Sequence, residues 1–327
     1  MQRPVVPHAR MLYLDLRGLT MGTYWQVQCY VDATRDVEFL QANIQAQLDQ
    51  VVTQMSPWEI DSALSKFNRA PANSWHVLPQ AFFKVLQHSL FVAEQTQGAY
   101  DPSIGHLANV WGFGHLGKVH AIPEASAIAQ ALQRTQWRRI KLDAALHSAF
   151  QAGDIQLDLC STAKGFGVDQ VARYLQQLGI TSYLVEVGGE LRGLGCKADG
   201  QPWWVALEEL PESESLGYVV ALHGVSIATS GDYRRYFEIE GQRYSHSIDP
   251  RTGYPVQHGV ASVTVLHPEC MIADALATAM TVLGLEAGMA YAKSLCAAAR
   301  FIVRDNDGLS EHRSPALIAM LDDAGLA

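Results

Sequence analysis

The chain has 327 residues, 48% of them hydrophobic, and a mean hydropathy of zero. That is ordinary globular composition with ample material for a core, and the length allows one large domain or two small ones. The formal net charge of -9, with no long basic run, argues against nucleic acid as the main partner.

The five cysteines, Cys29, Cys160, Cys196, Cys270 and Cys296, are scattered, with no C-x-x-C pair. They read as free thiols of a reducing compartment, not as a disulfide frame or a zinc site. The opening "MQRPVVPHARMLYLDLRGLT" has prolines and charges where a signal peptide needs an apolar stretch. As it stands the sequence predicts a cytoplasmic protein, or a periplasmic or membrane-anchored one if a leader has been removed. No apolar run reads as long enough to span a membrane.

Residues 21–30 alternate and are β-prone, which predicts a strand. Val37, Leu40, Ile44, Leu48, Val51, Val52 and Met55 recur at helical spacing and predict an amphipathic helix over 36–55. "MSPWEIDSALSKFNRA" predicts a helix-turn unit, 80–97 a second helix, and the Gly-rich, aromatic 98–114 a functional loop around a short helix. Short strands are expected over 136–159. In "DIQLDL", Ile155, Leu157 and Leu159 would share one face.

Ser161 or Thr162 can cap a helix that stops near Gly179. "SYLVEVGGELRGLG" reads as one buried strand ending in glycines. "WWVALEEL", "GYVVALHG" and "VSIATSGDYRRYFEI" extend the β region, and Glu240-Gly241 turns a hairpin into "QRYSHSI". "ASVTVL" is a strand, "CMIADALATAMTVLG" a helix stopping at a glycine, and "ARFIVRD" a late strand. Strand runs with inserted helices, without regular βαβ alternation, predict an α+β fold in one two-lobed unit of mixed or antiparallel sheets.

Four polar or aromatic clusters carry candidate chemistry, each with a plainer alternative. Asp158 before "CSTAKG", with Lys164, places an acid and a cation at a helix start, where free N–H groups suit a phosphate or metal–phosphate group. The same residues would serve a capped helix with solvated charges. Asp274 and Thr278, four apart on one helix face, suit a hard cation of the Mg²⁺ type or a buried aspartate capping its helix. In the third cluster Thr229-Ser230-Gly231-Asp232 could aim N–H groups and hydroxyls at an anion. Arg234, Arg235 and Arg251 could hold phosphate or carboxylate. His246 is a general-base candidate or a satisfied structural histidine. Trp58, Tyr100, Trp111 and Phe113 suit a flat ring ligand or packing beneath a loop. G-x-G-x-x-G after a strand, P-loop, G-x-S-x-G and H-E-x-x-H motifs are absent, which disfavours the enzymes built on them.

Taken in order, "MGTYWQV", "MSPWEIDSALSKFN", "GAYDPSIGHLANVWGFG", "DLCSTAKGFGVDQVARYL", "YLVEVGGELRGLG", "ATSGDYRRYFEIEGQRYSHSIDPRTGYP" and "SVTVLHPECMIADALATAMTVLG" resemble the successive signatures of the ApbE family, the flavin transferases. The resemblance runs from Met21 to Gly284 and implies a domain over 21–327; the segment 1–20 before it reads, from its own residues, as one without a signal peptide. It implies a single α+β unit related to the tunnelling fold, with FAD as substrate and Mg²⁺ as cofactor. The FMN half would move to a Thr or Ser hydroxyl of an acceptor protein, making a phosphoester and releasing AMP.

The resemblance further implies an acceptor with a motif like Asp-Gly-x-Thr/Ser-Gly-Ala-Thr, often a membrane redox subunit. By motif position, Met21, Trp58, Ala99, Tyr100, Asp101, Asp158, Lys164 and Ile248 would form the flavin site. Ser161, through its carbonyl, would join Asp274 and Thr278 around Mg²⁺, and His246 would be the base. Where some members carry a second acid three residues after the metal aspartate, this chain has Ala277. Two rival expectations use the same residues: a Mg²⁺-dependent FAD pyrophosphatase and a non-catalytic flavin carrier.

Overall fold

A computed structural model describes residues 6–7, 11–117, 121–208, 210, 218–305 and 308–324. Residues 1–5 and 8–10 of the expected N-terminal segment lie outside the described residues, as do Glu209 and Gly217 at the ends of two expected strands.

The chain opens with a hairpin of β1 (Met11–Thr20) and β2 (Thr23–Asp32). Its two-residue tip, Met21–Gly22, has φ of 49° and 71°, the left-handed pair that matches the twist of paired strands. The sheet thus begins ten residues before the strand expected from 21, inside the segment assigned to the N-terminus. Asp36 caps α1 (Val37–Met55), its side chain accepting from the Phe39 amide, and the expected apolar stripe is buried at Leu40, Ile44, Leu48, Val51 and Met55. Next come α2 (Ala63–Asn68), β3 (Ser74–Val77), α3 (Gln80–Gln95), α4 (Gly105–Val110) and α5 (Ala125–Arg134). β4 (Lys141–Asp143) and β5 (Ser148–Gln151) complete a small sheet of order β3-β5-β4.

The "DIQLDL" stretch is not a paired strand, although Ile155, Leu157 and Leu159 are buried as expected. Side-chain amides stand in for a neighbouring strand. Asn68 donates to the Leu157 carbonyl and accepts from its amide, and Gln151 does the same for Ile155. This delivers an extended backbone to α6 (Cys160–Gln177), which ends before Gly179 at φ 75°. Neither Ser161 nor Thr162 caps that helix. Leu159 is the cap residue without a side-chain bond, and Asp158 Oδ1 accepts from the Cys160 amide at 2.9 Å.

"SYLVEVGGELRGLG" is two strands, β6 (Tyr183–Val187) and β7 (Glu190–Leu194), not one. Gly188 and Gly189, at φ 58° and 100°, make the reversal that a side chain would oppose. β8 (Trp203–Ala206) pairs with β9 (Val219–Leu222). β10 (Val225–Gly231) leads to the expected hairpin of β11 (Tyr236–Ile239) and β12 (Gln242–Ser245) across Glu240–Gly241. β13 (Ile248–Asp249) and β14 (Tyr254–Pro255) then frame a tight turn. The chain closes with β15 (Val260–His267), α7 (Cys270–Ser294), β16 (Ala298–Asp305), β17 (Gly308–Arg313) and α8 (Pro315–Ala324).

The main sheet has order β1-β2-β6-β7-β10-β15-β16-β17 with every pair antiparallel. The fold is α+β, as the pattern predicted. α1 and α6 cover β1, β2 and β6 through Leu40, Leu48, Val168, Val171 and Leu175. α7 covers β15 and β16 through Ala273, Leu276 and Met280. Trp203, Leu222 and Leu317 form a further cluster with Ile227, Leu266 and Ala298.

α7 breaks at Gly284 (φ 79°, ψ 178°), where the sequence placed its end, and then resumes. It is long and apolar enough by composition to cross a membrane, against the sequence expectation, but 67% of its apolar stretch is buried inside the protein. All five cysteines are free, as expected.

α6 and α7 cross closely, and this crossing positions the site. Asp169 of α6, 1% exposed, accepts from the Cys270 and Met271 amides at 3.1 and 3.0 Å and from Arg192 of β7. It thereby supplies the cap that α7 lacks locally. A Cβ on Gly165 would lie 2.4 Å from the Cys270 carbonyl oxygen and 2.9 Å from Asp274 Cβ. Gly165→Ala should therefore push the helices apart and cost about 1–3 kcal/mol. Urea unfolding measures this, and an unchanged midpoint would show that the crossing is looser than drawn.

Candidate active site

The first turn of α6 meets the loop 98–104 and α7. Tyr100, 3% exposed, has its hydroxyl 2.5 Å from Thr162 Oγ1 and accepts from Ser161 Oγ at 3.0 Å. Burial raises the pKa of this phenol, so it stays a neutral hydrogen-bonding group. The Asp158 amide donates to the Pro102 carbonyl, tying the same loop to the start of α6. Asp101 is also buried. Its Oδ1 accepts from the Ser103 amide and hydroxyl and its Oδ2 from the Trp137 amide, while burial lifts its pKa to about 6. Asp101 thus shapes the loop that carries Ala99 and Tyr100.

One turn on, Lys164 Nζ lies 2.5 Å from Glu190 Oε1. The Gly165 amide donates to Asp274 Oδ2 at 3.0 Å, leaving Oδ1 without a donor among the described residues. Burial raises the Asp274 pKa, against the pull of Lys164. Burial works to lower that of Lys164, but Glu190 and Asp274 together outweigh it and keep the ammonium charged. Thr278, one helical turn beyond Asp274, has its hydroxyl 3.0 Å from Ser230 Oγ at the end of β10.

The donor set here is entirely oxygen: a carboxylate oxygen without a hydrogen-bond donor, a hydroxyl and nearby main chain. That is the chemistry of a hard cation, and among the described residues no His/Cys/Asp/Glu cluster suits a softer metal. The residues present fit Mg²⁺.

His246 follows β12. Its amide donates to the Arg235 carbonyl at 3.0 Å, and its Nδ1 lies 3.2 Å from the same oxygen. A carbonyl only accepts, so Nδ1 carries the proton and Nε2 keeps its lone pair. The residue retains some solvent access, yet its ring sits deep among protein atoms. Burial, followed by the charges of Arg235, Lys164 and Arg234, pushes its pKa down to about 4. The imidazole is therefore neutral at pH 7 and accepting at Nε2.

The aromatic residues divide by role. Trp111 is fully buried, stacks on Tyr244 at 5.8 Å, and donates from Nε1 to the Gly253 carbonyl at 2.8 Å. Phe113 stacks on Phe237 and meets the His246 ring edge-on at 6.3 Å. Its carbonyl accepts from Arg235 at 2.9 Å. Both side chains buttress the histidine hairpin and do not present free ring faces. Trp58, 52% exposed in the loop before α2, does present one.

Ile248 is 3% exposed and packs with Leu107, Trp111 and Tyr244, so its side chain is occupied by the core. Met21 sits at the β1–β2 tip, with Cε 3.1 Å from where a Gly167 Cβ would be. The turn after Ile248 is closed by Gly253 N–H to the Asp249 carbonyl at 2.8 Å. Arg251 pairs with the Asp249 carboxylate. Arg234 pairs with Glu208 and donates to the Gly188 carbonyl. Neither arginine is a free anion hook.

Sequence reasoning missed Glu190. A carboxylate directly after Gly-Gly inside an otherwise apolar stretch was the available signal, since such a group needs a cationic partner when buried.

The outcome is an anion-and-cation site at a helix start on an antiparallel α+β scaffold. The chain belongs to the ApbE family, whose model matches residues 21–302. It is 36% identical over 316 residues to the FAD:protein FMN transferase of Klebsiella pneumoniae (95% of this chain, 90% of that one). To that of Vibrio cholerae it is 38% identical over 304 residues (92% and 90%). Among solved structures, the apo flavinyl transferase ApbE of Pseudomonas stutzeri superposes with a TM-score of 0.88 at 35% identity, covering 94% of this chain and 96% of that one. The flavin transferase ApbE of Vibrio cholerae gives the same score and identity, covering 94% and 99%.

Proposed function

We propose that this chain transfers the FMN half of FAD to a Thr or Ser hydroxyl of an acceptor protein. A phosphoester forms and AMP leaves. The observation that carries the reading is the state of His246: Nδ1 is anchored on the Arg235 carbonyl and Nε2 is unprotonated, within reach of the Lys164 charge. The similarity to FAD:protein FMN transferases supports transfer of FMN from FAD to a protein.

In this reading Nε2 takes the acceptor hydroxyl proton as the oxygen bonds to the FMN phosphorus. The bond from that phosphorus to the bridging oxygen breaks, and AMP departs with the electron pair. Lys164 binds phosphate oxygens, and the exposed Trp58 ring covers a flat face of the substrate. Mg²⁺, held by the Ser161 carbonyl, Asp274 and Thr278, would supply charge neutralisation at the pyrophosphate. The acceptor is a protein carrying an Asp-Gly-x-Thr/Ser-Gly-Ala-Thr-like motif, of the redox-subunit kind.

Incubation with FAD, Mg²⁺ and a protein bearing that motif should give an acceptor heavier by one FMN-phosphoryl unit in intact mass spectrometry, with AMP released in equal amount. FMN and AMP without an adduct would make water the nucleophile. FAD recovered intact would leave only a carrier.

A further inference from the structure

Lys164 stands between two buried acids and pairs with one of them. Its Nζ is 2.5 Å from Glu190 Oε1. It makes no ion pair with Asp274, although Asp274 lies close enough to help keep it charged. Glu190 is 1% and Asp274 4% exposed. We propose that Glu190 is a positioning residue that holds the Lys164 ammonium away from Asp274 and so leaves Asp274 open to a divalent cation. The inference rests on the Mg²⁺ reading above and adds a residue outside the cation's own oxygen donors.

The backbone is built to place this carboxylate. Gly188 and Gly189 turn the chain at positive φ, which puts Glu190 first in β7. Arg234 clamps the turn: its Nη1 donates to the Gly188 carbonyl, and its guanidinium lies where a Gly189 Cβ would be, 2.8 Å from Nη2. Among the described residues Glu190 Oε2 is buried without a hydrogen-bond partner, a cost that stability alone does not explain.

The charge balance then decides the outcome. Burial raises the pKa of both acids, against the pull of Lys164 on each and of Arg234 on Glu190. With both ionised, two carboxylates and one ammonium carry one net negative charge, which a divalent cation reverses toward an incoming pyrophosphate. The Lys164 side chain is 29% exposed but its ammonium points at a buried carboxylate, so it keeps an acidic partner where one is in reach. With Glu190 neutralised, the nearest remaining acid is Asp274, and the ammonium would move onto it. The cation would then have to displace an ion pair that is strong in a low-dielectric site.

The test is thermal unfolding of the flavin-free protein across a MgCl₂ titration. The wild type should gain Tm saturably. Glu190→Gln should raise the Mg²⁺ midpoint about tenfold or more, the scale of coupling between contacting charges. Adding Lys164→Met to it should restore the midpoint, because the competing ammonium is gone. Lys164→Met alone should bind Mg²⁺ as tightly as wild type or more so, which keeps the idea testable if Glu190→Gln does not fold. An unchanged midpoint in Glu190→Gln, no recovery in the double variant, or weakened Mg²⁺ binding in Lys164→Met would each overturn the role of Glu190 alone. A wild type blind to Mg²⁺ would instead remove the metal reading, and this inference with it.

Discussion

Replacing His246 with alanine is expected to leave FAD binding in place while lowering transfer by about 10²–10⁴-fold, the usual contribution of one general base. The ring touches little that a ligand would use for binding. Its anchors are the Arg235 carbonyl and the edge of Phe113, both on its own scaffold. Truncation therefore removes a lone pair and leaves the α6 helix start and the Trp58 face intact. Equilibrium binding of FAD by fluorescence, set beside single-turnover transfer, separates the two effects. Transfer at the wild-type rate would reject the role.

The same environment fixes a pH signature. Burial and the neighbouring arginines hold the His246 pKa near 4, below the ordinary histidine value. Its limb in kcat/KM should fall near pH 4 and not near 6.5, and an NMR titration of the His246 ring reads this directly. The stability consequence has the same sign. The unfolded chain binds this proton more readily than the folded one, so the contribution is intact above the unfolded pKa. It is lost as pH falls from there toward about 4.

Asp274→Ala carries the second large effect. It removes the carboxylate whose Oδ1 is free of donors, strips the Gly165 amide of its acceptor and leaves Lys164 with Glu190 alone. The saturable response to Mg²⁺ should vanish. Transfer should fall on the order of 10²–10³-fold, because metal stabilisation of phosphoryl charge is worth several kcal/mol. The unsatisfied buried amide should add about 1–3 kcal/mol of destabilisation. An unaltered Mg²⁺ titration would show that the cation binds elsewhere.

Much of the scaffold was legible because its signals are local. The stripe Leu40–Ile44–Leu48–Val51–Met55, the Glu240–Gly241 reversal and the break at Gly284 follow from helical period and left-handed glycine turns. Errors fell where a distant group replaced a local one. "DIQLDL" joins no sheet because Asn68 and Gln151 side chains hold Leu157 and Ile155 while Gln156 and Asp158 bond the 102–105 backbone. α6 is not capped by Ser161 or Thr162. α7 is capped from α6 by Asp169. A period carries no information about such partners.

The candidate site divides the same way. His246, Lys164, Asp274 and Thr278 were recognisable as residue types in ordered motifs, and the fold class followed from the strand and helix pattern. The tautomer of His246, the pairing of Lys164 with Glu190 and the donor-free oxygen of Asp274 depend on atoms from α6, β7, α7 and the β11–β12 hairpin. By itself the sequence determined most of the helices and hairpins and which reactive side chains they carry, because propensity and period act between near neighbours. Only the tertiary structure decided which of those side chains meet and in what charge state, because burial and Coulombic contact depend on distances in space.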